Sequence, residues 1–193
     1  MPTPAVPRIV ALTAVAILLA LPAHADFSCT AAPQSGCRLP FVAHKSSLWF
    51  KQTGKTDPDD VYTWRWRSGS ATMLTDFGDP LGTTDYALCF YDQSGRSQPV
   101  VADLAPAATG WRGLPIGYKR FYRPTPTLRL LLLHAGPDGK ASILAHGDSD
   151  TVAQILPFVA PLVVQLQAST GTCWETTFTS PNRDDASRFG GQD

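Results

Sequence analysis

The sequence predicts an all-β chain: a single antiparallel β-sandwich, immunoglobulin-like or jelly-roll-like, stabilised by disulfides. Three observations predict it. Several runs alternate apolar and polar residues with period two, the mark of a strand with one buried face. Turn formers interrupt those runs, with 15 Gly, 17 Pro and, among 16 acids, 15 Asp against the single Glu175. No proline-free stretch carries the 3.6-residue period of an amphipathic helix. The composition, 44% hydrophobic and 17% charged, excludes disorder driven by charge. A formal net charge of zero argues against a surface built throughout for nucleic acid or anionic membrane.

Residues 1–25 read as a secretory signal. Arg8 precedes an apolar run of thirteen residues, Ile9 to Leu21, and Ala23-His24-Ala25 forms an A-x-A cleavage site before Asp26. As a helix that run covers roughly 20 Å, short of the ~30 Å hydrocarbon core. The mature protein is therefore expected to be secreted or periplasmic, with no membrane anchor. Residues 26–179 form the expected sandwich domain, and the polar residues 180–193 a C-terminal tail pinned by Phe189.

Within the domain, Tyr62, Trp64 and Trp66 share one face of a strand, opposite Thr63, Arg65 and Arg67. The outward arginines make the aromatic stripe a core face. Tyr86, Leu88 and Phe90 oppose Ala87, Cys89 and Tyr91, and Trp174, Thr176 and Phe178 oppose Cys173, Glu175 and Thr177. Weaker strands are expected at Leu48-Trp49-Phe50, Val100-Val101, Ile116 to Tyr122 and Leu162 to Gln167. The clearest hairpin runs from Leu128 to Gly147 and turns at Gly136-Pro137-Asp138-Gly139, where Pro presets φ and Gly supplies φ > 0.

Cys29, Cys37, Cys89 and Cys173 all lie in the exported part, and an even count there reads as two disulfides with three possible connectivities. The short Pro- and Gly-containing segment between Cys29 and Cys37 favours their pairing. Cys89 would then pair with Cys173 across strands.

The landmarks Trp64-x-Trp66, Asp76-Phe77-Gly78-Asp79-Pro80, Tyr86-x-Leu88-Cys89-x-Tyr91-Asp92, Gly139-Lys140-Ala141-x-Ile143, Val164-Gln165-Leu166 and Cys173-Trp174 run through nearly the whole domain. In this order the chain resembles secreted bacterial β-rich proteins and modules of no known activity. The resemblance implies a secreted β fold and no transferable chemistry. Such relatives would carry a further cysteine near Trp111, which this chain lacks.

Catalytic constellations are sparse. There is no G-x-S-x-G elbow, and oxidised thiols cannot act as nucleophiles. Glycoside hydrolysis needs two carboxyl groups, and Asp76, Asp79 and Glu175 are the acids to consider, with a histidine. That secreted hydrolase is the alternative reading. For metals, the hairpin register puts His134 opposite about Ala141 and His146 opposite about Arg129. At ~3.3 Å per residue the two are too far apart to share one ion. No cofactor is expected, apart from structural calcium at the turn aspartates Asp57-Pro58-Asp59-Asp60 or Asp148-Ser149-Asp150.

The binding candidate is a one-sided charge run. Between Asp103 and Asp138 lie Arg112, Lys119, Arg120, Arg123 and Arg129, with no acid and with Tyr118, Phe121 and Tyr122 interleaved. Trp111 opens it from an expected loop. Trp111, Arg112, Lys119, Arg120 and Arg123 together suit stacking and charge pairing with an acidic glycan, an envelope polymer or a protein. No nucleic-acid partner is expected. The sequence thus favours a non-enzymatic binding module at the cell exterior.

Overall fold

The computed structural model describes residues 27–52, 60–123, 128–148 and 155–193. The expected signal peptide, Asp57-Pro58-Asp59 and Ser149-Asp150 lie outside them. The described chain forms β1 (Ser47–Lys51), β2 (Val61–Gly69), a short 3₁₀ turn (Leu74–Phe77), β3 (Tyr86–Tyr91), β4 (Val101–Ala105), β5 (Trp111–Leu114), β6 (Gly117–Phe121), β7 (Leu128–His134), β8 (Ala141–Asp148), β9 (Leu162–Ala168), β10 (Cys173–Phe178), β11 (Arg183–Asp184) and β12 (Arg188–Gln192). These strands make two antiparallel sheets. One has eight strands in the order β11-β12-β1-β2-β8-β7-β6-β5, and the other has four, β10-β9-β3-β4. The protein is an all-β sandwich.

The alternation places the core where it is expected. Tyr62, Trp64 and Trp66 are fully buried on the inner face of the large sheet, beside Phe50, Leu131 and Ile143. Facing them from the small sheet are Tyr86, Leu88, Phe90, Leu166, Trp174 and Phe178. Rings meet in this core: Tyr62 is edge-on to Phe90 across the layers at 5.5 Å, and Phe77 of the 3₁₀ turn stacks on Trp174 at 5.0 Å. Each such side chain withdrawn from water stabilises the fold by about 1.5–3 kcal/mol. Polar bonds also cross this core, from the Tyr62 hydroxyl to the Asp103 carboxylate on β4 and from the Trp66 indole N–H to Glu175 O on β10 (3.1 Å). Burial and the neighbouring Asp103 charge both hold the Tyr62 phenol well above its ordinary pKa.

The β7–β8 hairpin forms with Gly139 at φ +76°, the left-handed position that Gly tolerates. Its register is one residue away from the expected one: His134 faces Ser142 and His146 faces Leu130. The offset is uniform from His134 to Leu130 and so arises at the turn; the bulge at Arg129 lies beyond it, where Leu128 pairs with Gly147.

Residues 180–193 are not a tail. Arg188–Gln192 is strand β12, hydrogen-bonded between β1 and β11. Its inward residues are Phe189, which is buried, and Gly191, where a Cβ would sit 2.9 Å from the Phe178 ring. With glycine as the second inward residue, the strand shows no apolar period in sequence.

The disulfides also depart from the expected map. Cys29 pairs with Cys89, and Cys37 with Cys173. Cys89 and Cys173 do share the outer face of the small sheet, but β9 runs between their strands. Two strand spacings, roughly 10 Å, exceed the Cα separation a disulfide spans. Each cysteine instead reaches up to residues 27–38, which cross that outer face as a strap. The strap is further held by Thr30 N–H to the Gln167 side-chain oxygen (3.1 Å), by Gln34 N–H to that of Gln165 (2.9 Å), and by the Gln165 amide to Gln34 O (2.8 Å). Gln165 and Gln167 are buried beneath it. Two disulfides fit an oxidising compartment. No helix among the described residues is long and apolar enough to cross a membrane.

Candidate functional site

Strand parity divides the predicted binding residues between two faces. In the β5–β6 hairpin Trp111 pairs with Arg120, and Arg112 with Lys119. On β7, Arg120 pairs with the buried Leu131, so Trp111 and Arg120 point into the sandwich. Lys119 pairs with the half-buried Leu132, so Arg112 and Lys119 point outward.

Trp111 is therefore a packing residue and sits on a strand, not in the expected loop. Its ring lies 5.3 Å from that of the buried Tyr86, and its indole N–H donates to Pro106 O at 2.9 Å. Arg120 is 2% exposed. Its guanidinium donates from Nε to Thr109 O at 3.0 Å and from Nη1 to Leu128 O, with the Tyr122 ring 5.1 Å away. Burial lowers its pKa, partly offset by Tyr122 and Tyr62. This arginine serves the fold by bonding two backbone carbonyls.

The outward residues join a larger surface. Reading across the paired strands, one row runs Arg112, Lys119, Leu132, Leu144, Arg65, Ser47 and Gln192. The adjacent outward row runs Phe121, Leu130, His146, Thr63 and Trp49. None of these residues is buried, and neither row contains a carboxylate. Phe121 and Trp49 are 52% and 42% exposed. With strands ~4.8 Å apart, the span from Arg112 to Arg65 is roughly 19 Å.

Two hollows mark this face. Phe121, Arg123, Arg129, Leu130 and His146 line one of about 450 Å³. The Arg123 guanidinium lies 5.5 Å from the Phe121 ring centre, Arg129 pairs with the buried Asp148 at 2.5 Å, and His146 Nδ1 lies 2.9 Å from the Thr63 hydroxyl. A smaller hollow of about 160 Å³ is lined by Arg65, Arg67, Leu132, Ser142, Ile143 and Leu144. Each hollow thus combines two arginines with leucine side chains. On the small sheet the strap lies over the outer face, where it bonds to Gln165 and Gln167.

The acids that could have neutralised the basic run are engaged elsewhere. Asp85 accepts from Ala107 N–H (2.7 Å), Asp92 pairs with Arg96 (2.8 Å), and Asp103 holds Tyr62. The hydrolase candidates are likewise occupied. Asp76 pairs with Arg38 at 2.8 Å, Asp79 accepts from Leu81 N–H at 3.1 Å, and Glu175 accepts from Gln165 at 2.6 Å. Among the described residues, no group of three or more His, Cys, Asp or Glu side chains could hold a metal ion.

Sequence reasoning found Arg112, Lys119 and Arg123, with Phe121 interleaved among them, but missed Arg65, Arg67, Trp49 and His146 as members of this surface. The parity of β2 already turned Arg65 and Arg67 outward. What was missing was the neighbour order that lays β2, β8, β7 and β6 side by side. No protein-family model matches the chain, and neither does any curated protein or solved structure.

Proposed function

We propose that this chain is an exported, non-enzymatic binding module, and that the outer face of its large sheet takes an acidic glycan. The observation that carries the reading is the pair of carboxylate-free rows, in which Arg112 and Lys119 on one side and Arg65 on the other flank Leu132 and Leu144, beside the exposed rings of Phe121 and Trp49. Guanidinium and ammonium groups pair with sugar carboxylates or sulfates, and aromatic and aliphatic surfaces cover sugar C–H faces. A face of several strands suits an extended polymer better than a small ligand.

The test is binding to acidic and neutral glycan polymers at low and high salt. Arg112→Ala/Lys119→Ala removes two outward cations without touching the core. Acidic polymers should bind, more weakly in high salt because the contacts are screened, and the variant should bind severalfold less. Equal binding by parent and variant, or preference for neutral polymers, would overturn the proposal. Arg120 is unsuitable for this test because its loss perturbs folding.

A further inference from the structure

A second surface, independent of the basic face, lies at the end of the sandwich where the β7–β8 and β5–β6 hairpins turn. Three loops there expose large apolar side chains: Leu39, Phe41 and Val42 on the first, Met73 and Leu74 on the second, Ile116 on the third. Met73 is 66%, Phe41 60% and Ile116 57% exposed. Hydrogen bonds bind these loops into one unit. Phe41 and Val42 N–H both donate to Ser68 O (2.7 and 3.3 Å), Ser70 N–H to Leu39 O (3.0 Å), and Ala135 N–H to Ile116 O (2.8 Å). Thr72 and Gly136 exchange a reciprocal pair at 2.9 Å. Between the second and third loops lies an open hollow of about 470 Å³ whose lining includes Met73, Leu74, Ile116 and Pro137.

We infer that this end inserts its apolar side chains into an anionic lipid surface. Two features distinguish a bilayer from a protein partner. First, many peptide N–H groups of the tip are already paired. Besides the bonds above, Ala71 N–H donates to the Asp138 carboxylate (2.6 Å) and Met73 N–H to that of Asp76 (2.6 Å). Peptide groups satisfied internally can enter a low-dielectric layer cheaply, and they offer no edge to a partner strand. Second, cations flank the apolar residues. Lys45 follows the Leu39–Val42 loop, and Lys140 follows Gly139, which lies beside the Phe41 ring. Both lysines are exposed, and neither forms an ion pair among the described residues. The nearby Asp76 is paired with Arg38, and Asp138 is bonded to Ala71. Apolar tips with unpaired lysines beside them match the chemistry of an anionic interface, where cations sit at the headgroups and apolar groups below them. Such contact is peripheral and requires no spanning segment.

Sedimentation of the disulfide-bonded protein with phosphatidylcholine vesicles, with and without phosphatidylglycerol, tests the inference. Binding should require phosphatidylglycerol. Phe41→Ala/Ile116→Ala should lower the partition by about tenfold or more although the charge is unchanged, since the apolar area available for burial falls. Met73→Ala/Leu74→Ala should act in the same direction, and Lys45→Ala/Lys140→Ala should weaken binding most at low salt. Melting temperatures should stay at the parent value, because all these side chains are exposed. Arg112→Ala/Lys119→Ala should sediment with vesicles as the parent does, which separates this surface from the glycan face. Three results would overturn the inference. One is no vesicle binding. Another is vesicle binding that survives loss of the apolar pairs. The third is a solution dimer that Phe41→Asp dissociates, which would make a second copy the occupant.

Discussion

Arg120→Ala separates folding from binding. Arg120 is 2% exposed and donates to Thr109 O and Leu128 O. Removing it leaves two carbonyls without their donor, at about 1–3 kcal/mol for each that stays buried. It also removes a long aliphatic stem from beside Tyr122 and opens a void at the inner edge of β6. Thr109 is half-buried and can recover water, so the expected loss is about 3 kcal/mol, chiefly from Leu128. For a chain of this size that corresponds to a fall in melting temperature of roughly 6–12 °C. Lys119→Ala, one residue earlier and on the outer face, should change stability by less than about 0.5 kcal/mol. Arg120→Lys should recover part of the loss, because an ammonium cannot reproduce the planar fork. Paired thermal melts and urea titrations measure all three. Equal melting temperatures for Arg120→Ala and Lys119→Ala would refute the reasoning and return Arg120 to the binding surface.

Non-reducing peptide mapping should recover Cys29–Cys89 and Cys37–Cys173 peptides, and a Cys29–Cys37 peptide would sink the strap arrangement. Cys37→Ala/Cys173→Ala opens a closure of 136 residues and should cost about 2–5 kcal/mol in a urea titration. The third prediction concerns acid. Burial alone would raise the Asp92 pKa, but donors from the Ser94 hydroxyl, the Gln98 amide and the N–H groups of Val159 and Ser94 together bring it below the ordinary value. A carboxylate whose folded pKa is depressed contributes stability above its unfolded pKa and loses it as pH falls through the folded value. The stability gap between parent and Asp92→Asn should therefore narrow below about pH 4. A gap that stays constant from about pH 6 to about pH 2 would contradict that assignment.

The residue sequence by itself determined the β class, the inward faces of β2, β3 and β10, and the Gly136–Gly139 reversal. These are local properties. Period-two alternation decides which side chains share a face, and Pro and Gly decide where the chain turns, without reference to any distant residue. The binding run grouped Lys119 with Arg120, although neighbours on one strand point to opposite faces. Which of the two faces inward was decided only by the pairing with β7, since Tyr118, Lys119 and Arg120 form no apolar stripe of their own. The same holds for β12, whose inward residues are one phenylalanine and one glycine. Cysteine pairing was beyond sequence for a related reason. Cys89 and Cys173 do lie on one face, but only the strand order placed β9 between them and the strap above them. The basic surface likewise assembles from β2, β5 and β6, separated in sequence and brought level by register. Neighbour order and register are set by the packing of the whole sandwich, because each strand can satisfy its own hydrogen bonds and bury its own face against several alternative partners. Only the folded chain selects among them.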